Sequence, residues 1–199
     1  MLALPGNADN DRVAERLTMA KTIDGEHFDA RMAELDQALR ELVADAERDP
    51  ARWTRGRPGK WTAGRHAAHV AITLGDTADA FEARLPQVLG GTLGPVPRRG
   101  PLQWLWVSLL VGRGTMPRGG RTPRRFEPAP DPGRKETLDR LRREVERHRA
   151  VGHLLTAAQR DRLWIPNPFL KKWHYTLVEM IRAQAVHARH HLRLIGEIG

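Results

Sequence analysis

The chain contains no cysteine, which removes disulfides, thiolate zinc sites and cysteine nucleophiles together. Any metal would have to rest on histidine, carboxylate and water, so hard or borderline divalent ions are the candidates. Long apolar runs are missing as well: none approaches the roughly 18 to 20 residues that a membrane-spanning helix needs. The opening stretch MLALPGNADND is too short and too acidic for a signal peptide, so the expected location is cytoplasmic. No alternating strand pattern of useful length appears anywhere. Acidic residues are absent from one stretch in particular. Between Arg98 and Phe126 there are seven arginines (Arg98, Arg99, Arg113, Arg118, Arg121, Arg124, Arg125) and no acid.

What remains is 199 residues with 40% hydrophobic content and a net charge of +9, enough to bury a real core in one domain. Most of the excess charge comes from the arginine-rich stretch, whose glycines and prolines read as a long loop. A solvated loop is the plain reading of such a run. Beside a site it would steer anions inward, with Arg124 and Arg125 as the steering candidates. Nucleic acid is disfavoured because no reading helix accompanies the arginines.

Apolar residues recur at helical spacing in four segments of about 20 residues, predicting an all-α, four-helix bundle. The first is expected from Asp24 to Arg48, carrying Phe28, Met32, Leu35, Leu39, Leu42 and Val43. The second starts after the N-cap candidate Thr62 and stops at Leu85-Pro86. The third covers Lys135 to Ala157 and includes Leu154. The fourth starts at Thr176, with Glu179 completing a capping box. Residues 1–22 are expected to form an N-terminal arm or short helix, and residues 23–199 the bundle. Residues 86–134 form a long crossover between the second and third helices, too long for a bundle turn. It is expected to carry a short extra helix, PLQWLWVSLLVG, open to three readings: a lid, a homodimer contact or an interfacial membrane anchor. Trp53, Trp61, Trp164 and Trp173 are expected to pack at helix ends. Glu144, Glu146 and Glu179 are carboxylates from which a general base could come, yet Glu144 and Glu146 alternate with arginines as on a solvated face. No catalytic residue is assigned.

Near the C-terminus the sequence VHARHHL crowds His187, His190 and His191 together. A metal site, a buried polar cluster and a basic helix end are all readings of that crowding. At about 100° per residue, His191 falls about 40° from His187 and inside the apolar stripe, whereas His190 at about −60° falls outside it. Two imidazoles four residues apart share a helical face and can share an ion, so His187 and His191 are the metal candidates. Hydrogen-bonded core histidines remain the alternative. On the second helix, His66 lies about 75° from the apolar centre and His69 about 135°, so helix phase alone prefers His66. The strip Thr62, His66, Thr73, Thr77 and Ala80 is small enough to line a pocket.

The pieces Arg57-Pro58-Gly59-Lys60-Trp61-Thr62, His69-Val70-Ala71, Asn167-Pro168, Thr176-Leu177 and His187 to Leu192 resemble, in order and spacing, the DinB/YfiT-like superfamily of metal-dependent enzymes. The resemblance implies a four-helix bundle in which His69, His187 and His191 bind one divalent ion, nickel, zinc or iron. His66, His190 and Thr73 would then be pocket or supporting residues. It further implies a metal-dependent transferase or hydrolase, since relatives include S-transferases that use low-molecular-weight thiols such as bacillithiol or mycothiol. The expectation of a small, anionic or electrophilic substrate comes from the arginine-rich loop, were it to fold over the pocket mouth. Where relatives often carry His-Pro before the last helix, this chain has Asn167-Pro168, and its middle segment is longer. The reading from a different class is a non-catalytic binding module whose arginine-rich loop holds an anionic partner, nucleic acid or lipid.

Overall fold

The computed structural model describes the backbone of residues 8–114, 116, 122–168, 170 and 172–198, and side chains from residue 27 onward except 110 and 111. Arg118, Arg121 and the first seven residues of the expected arm lie outside the described residues. Four long helices form the bundle: α1 (Ala8–Arg48), α3 (Ala63–Leu89), α5 (Arg134–His153) and α7 (Leu177–Gly196). Shorter elements join them: α2 (Pro50–Thr54), α4 (Pro101–Val107) and α6 (Ala157–Arg162). The strands β1 (Trp164–Pro166) and β2 (His174–Thr176) pair antiparallel with Ile165 opposite Tyr175.

The helix starts follow the capping residues. The Thr62 hydroxyl accepts the Arg65 N–H at 3.2 Å, and Thr176 and Glu179 form the reciprocal capping box of α7. Helix ends depart from expectation for identifiable reasons. Helix α1 begins at Ala8, well ahead of Asp24 and as one continuous helix. Helix α3 runs past Pro86 to Leu89, because a proline one turn from a helix end costs a single backbone bond near a terminus that frays anyway. Helix α5 ends at His153, since Thr156 and Gln159 form a fresh capping box that starts α6. Leu154, expected in the apolar stripe, is 62% exposed as a result. The strands β1 and β2 are three residues each, too short to show any alternation in sequence.

Close approaches between the helix backbones fix the order α1, α5, α3, α7 around the bundle. On α3 and α5, Gly75 faces Arg140 and Glu144, and Glu82 meets Arg147, so these neighbours run parallel. Glu34 pairs with Arg182, and Asp45 near the end of α1 holds Arg52 of α2, which reaches the Ile195 carbonyl, so α1 and α7 are parallel too. By contrast His66 meets His191 and Thr77 meets Gln184, making α3 and α7 antiparallel. A parallel pair of adjacent helices cannot be joined by a tight turn, which explains the long crossover: it must return the chain along the full length of α3. It passes His174 at the start of α7 through Gln103, then Arg182 and Val186 at Gly114, then His69 at Phe126.

The core is built from Phe28, Met32, Leu35 and Leu42 of α1 against Leu74, Phe81, Leu141 and Ile181, all nearly inaccessible. Burial of each large side chain stabilises the fold by about 1.5–3 kcal/mol relative to its exposed state. Residues 63–78 of α3 and 177–192 of α7 include no exposed position. Ala63, Ala67, Ala71 and Gly75 let neighbouring helices approach α3 closely. The histidines sit on these two enclosed stretches, at the seam between α3 and α7.

Candidate metal centre

Helix α3 contributes His66, His69 and Thr73 to this seam, and α7 contributes His187, His190 and His191. Nitrogens of His69, His187 and His191 lie within 4.8 Å of one another, the spacing of a set that can share one ion. The three residues named from sequence are thus brought together.

Hydrogen bonds determine which nitrogen of each ring faces the cluster. The Nδ1 of His69 lies 2.9 Å from the Phe126 carbonyl, which can only accept, so Nδ1 carries the proton and Nε2 keeps its lone pair. The Thr73 hydroxyl donates to the Val70 carbonyl at 3.0 Å and so accepts from Nδ1 of His187 at 3.3 Å. His187 Nε2 is therefore also a free acceptor. It lies 2.9 Å from Nε2 of His191, whose Nδ1 is 2.8 Å from Nδ1 of His66. Fixing a ligating imidazole through its far nitrogen is what supporting residues around metal sites do.

Burial favours the neutral form of His66, His69, His187 and His191. It lowers His66 from its usual value to about 4, with His69 and His190 adding repulsion. His69 is lowered mainly by burial, against the opposing bond to Phe126. His187 and His191 fall well below the ordinary histidine value, again through burial first and neighbouring imidazoles second. Neutral imidazoles are what a divalent cation requires, because protons and metal compete for the same lone pairs.

Trp61 roofs the cluster, with ring centroids 5.1 Å from His69, 5.5 Å from His66 and 6.3 Å from His191. It is half-buried over the site, beyond the helix-end packing expected of it. The Arg65 guanidinium lies 5.4 Å from the Trp61 ring and donates to Glu127 at 3.3 Å, tying this roof to the crossover.

Other expectations meet mixed outcomes. His66 is buried at the site, so both second-helix histidines reach the seam: α3 is enclosed by α7 and the crossover together, and its buried arc is wider than its apolar stripe. His190, placed outside the stripe by phase, is buried for the same reason on α7, 5.4 Å from the His191 ring. Thr77 is buried but turns toward His148 of α5 at 3.1 Å. Arg124 is exposed, whereas Arg125 donates to the Pro168 carbonyl at 2.8 Å and lies over the Phe126 ring at 4.5 Å. Glu144, read as part of a solvated face, is 3% exposed and held by Arg140, Arg143 and Arg147. Glu179 is occupied by Arg99 and by its capping role. Asn167 closes the loop before β2 by accepting the Leu170 N–H at 2.9 Å, a structural use of the position where the resemblance leads one to expect histidine.

Sequence reasoning missed the Phe126 carbonyl, which carries no sequence signal. Asp76 lies on the same face of α3 as His69 but about 10 Å further along the helix. It is half-buried, and burial raises its carboxyl above the usual range against the pull of Arg125. A cleft of about 640 Å³ between α1 and α5, lined by Leu39, Val43, Leu141 and Val145, holds none of the clustered histidines and does not serve this site.

No family model matches the chain, and no curated protein does. Among solved structures it is similar to YfiT from Bacillus subtilis, described as a probable metal-dependent hydrolase with an unusual four-helix bundle topology. The two share 19% identity over 86% of this chain and 85% of that one, with a TM-score of 0.51. The chain therefore shares the four-helix-bundle fold of that structure. No helix among the described residues is long and apolar enough to cross a membrane.

Proposed function

We propose that the protein is a metal-dependent enzyme holding one divalent ion, zinc, nickel or iron, on His69, His187 and His191. The observation that carries this reading is the convergence of three imidazoles within 4.8 Å, His69 and His191 buried and His187 half-buried, two of them oriented by bonds on their far sides. Such an ion, with three protein ligands and an open position, supplies Lewis acidity and lowers the pKa of a water or thiol bound to it.

The chain's own residues prepare that chemistry. Phe126 and Thr73 hold the Nδ1 protons of His69 and His187, leaving Nε2 of each ring free. His66 holds the outer nitrogen of His191. Trp61 covers one side of the site. Arg124 draws anions toward the cluster.

The reaction class is hydrolysis or thiol-dependent S-transfer on a small anionic or electrophilic substrate. Hydrolysis is the activity ascribed to YfiT. A borrowed thiol suits a chain with no cysteine of its own. Metal analysis of protein purified without a histidine tag tests the centre: about one equivalent is expected, and less than about a tenth after incubation with zinc or nickel overturns it. A panel of metals crossed with glutathione, bacillithiol and mycothiol, against epoxides, chlorinated aromatics and esters, then separates transfer from hydrolysis.

A further inference from the structure

The crossover carries a second feature, independent of the metal centre. Helix α4 is held in a defined orientation: Gln103 donates to the His174 carbonyl at 2.8 Å, and Trp106 donates to the Tyr175 hydroxyl at 3.0 Å. Gln103 and Val107 are buried against the bundle. The opposite face is apolar yet lies in solvent, with Leu102 69%, Trp104 63% and Leu105 48% exposed, and Leu109 just beyond at 37%. A helix that buries a glutamine and exposes a tryptophan and two leucines is inverted relative to ordinary surface patterning. Exposed Arg98 and Arg113 bracket the patch, and no acid occurs from residue 98 to 126.

We propose that this face docks on the surface of an anionic lipid bilayer. Apolar side chains with a tryptophan at the acyl boundary and arginines at headgroup level are the pattern of an interfacial helix. Charge decides between a membrane and a second copy of the chain. Pairing two copies through α4 would bring two acid-free arginine clusters together, whereas anionic headgroups neutralise them. Area points the same way: four side chains offer a few hundred Å², below the roughly 800 Å² per partner of a stable protein interface. Arg99 takes no part, because Glu179 already occupies it. Contact with a bilayer is peripheral and reversible, since a helix this short cannot span one.

Vesicle co-sedimentation at low salt tests the proposal with the full chain. Vesicles of phosphatidylcholine with phosphatidylglycerol at about 30% should retain the protein at least several-fold better than phosphatidylcholine alone, and about 0.5 M salt should remove most of the difference. Tryptophan emission should shift to the blue on binding, and the shift should shrink in W104F. The double variant W104S/L105S should lose binding, and R98E/R113E should lose the preference for anionic vesicles, both with unchanged helicity and metal content. Failure to bind anionic vesicles at low salt overturns the proposal, as does binding unaltered in W104S/L105S. A concentration-dependent dimer that W104S/L105S dissociates would also overturn it and assign the face to a second copy.

Discussion

Nε2 of His187 and Nε2 of His191 lie 2.9 Å apart, one turn along α7, where two neutral imidazoles can remain only if one nitrogen carries a proton and the other does not. Thr73 fixes the His187 proton on Nδ1, so the shared proton belongs to His191, whose Nδ1 then accepts from His66. Uptake of an ion by the proposed triad would require His191 to carry its proton on Nδ1 instead, where His66 must accept it. In the proposed centre His66 is therefore coupled to the ion without being one of its ligands. Replacing it with phenylalanine should weaken zinc affinity by about 10–100-fold, the usual cost of losing an orienting partner. H66Q, which keeps an acceptor, should recover part of that loss. Competition against a chelator measures both, and equal affinity in all three proteins would disconnect His66 from the site.

His191→Ala should abolish metal uptake and His190→Ala should leave close to one equivalent. His190 is buried against the His191 ring but does not belong to the set whose nitrogens converge. Elemental analysis of the two variants decides it. Comparable losses in both would mean that His190 acts together with His69, His187 and His191 as one cluster without a defined triad.

Local features of this architecture were legible because local chemistry determines them. Thr62 and Thr176 cap their helices because a hydroxyl satisfies free backbone N–H groups wherever it stands at a helix start. The spacing of His187 and His191 fixes a shared face whatever surrounds it. Features that depend on what packs outside a helix were not legible. His190 and Glu144 look solvent-facing on a single-helix projection, yet the first is covered by the enclosure of α7 and the second by three arginines. The parallel course of α3 and α5 carries no signal in either helix, although the length of residues 86–134 is its consequence.

Acid should destabilise the fold through its buried neutral histidines. His148 is fully buried between the Glu144 carbonyl and Thr77, and burial lowers its pKa below the 6.5 of the unfolded chain. Below that value the unfolded chain binds more protons than the folded one, so stability falls with pH. The contribution is fully present above pH 6.5 and is lost as pH falls from there toward the folded pKa; the lowered histidines of the candidate site act in the same direction. Urea midpoints measured from pH 8 to pH 5 should decline, and H148Q should be less stable at pH 8 yet decline less steeply. A variant with the wild-type slope would remove His148 from this account.

Gly152 lies against the Phe28 ring where α5 meets α1, and a methyl group there would overlap ring carbons. Phe28 has no accessible surface and cannot swing aside without moving the core. Gly152→Ala should therefore cost about 1–3 kcal/mol despite its better helix propensity, as overpacking typically does. A thermal midpoint at or above that of the wild type would mean that α1 and α5 adjust freely at this crossing.

Of the two arginines expected to steer substrate, only Arg124 is suited to a clean test. Arg125 binds the Pro168 carbonyl and covers Phe126, whose own carbonyl orients His69, so reversing its charge would disturb the cluster as well as the field. Arg124 is exposed one residue away. A charge at the rim acts on encounter and on binding shared by substrate and transition state, which raises KM while sparing kcat. R124E should accordingly raise KM for an anionic electrophile by about 3–10-fold, leave a neutral analogue nearly unchanged, and lose most of its effect at about 0.5 M salt. R125E should lower kcat and metal affinity together. If R124E lowers kcat for neutral and anionic substrates alike, Arg124 positions the reacting groups and the steering assignment fails.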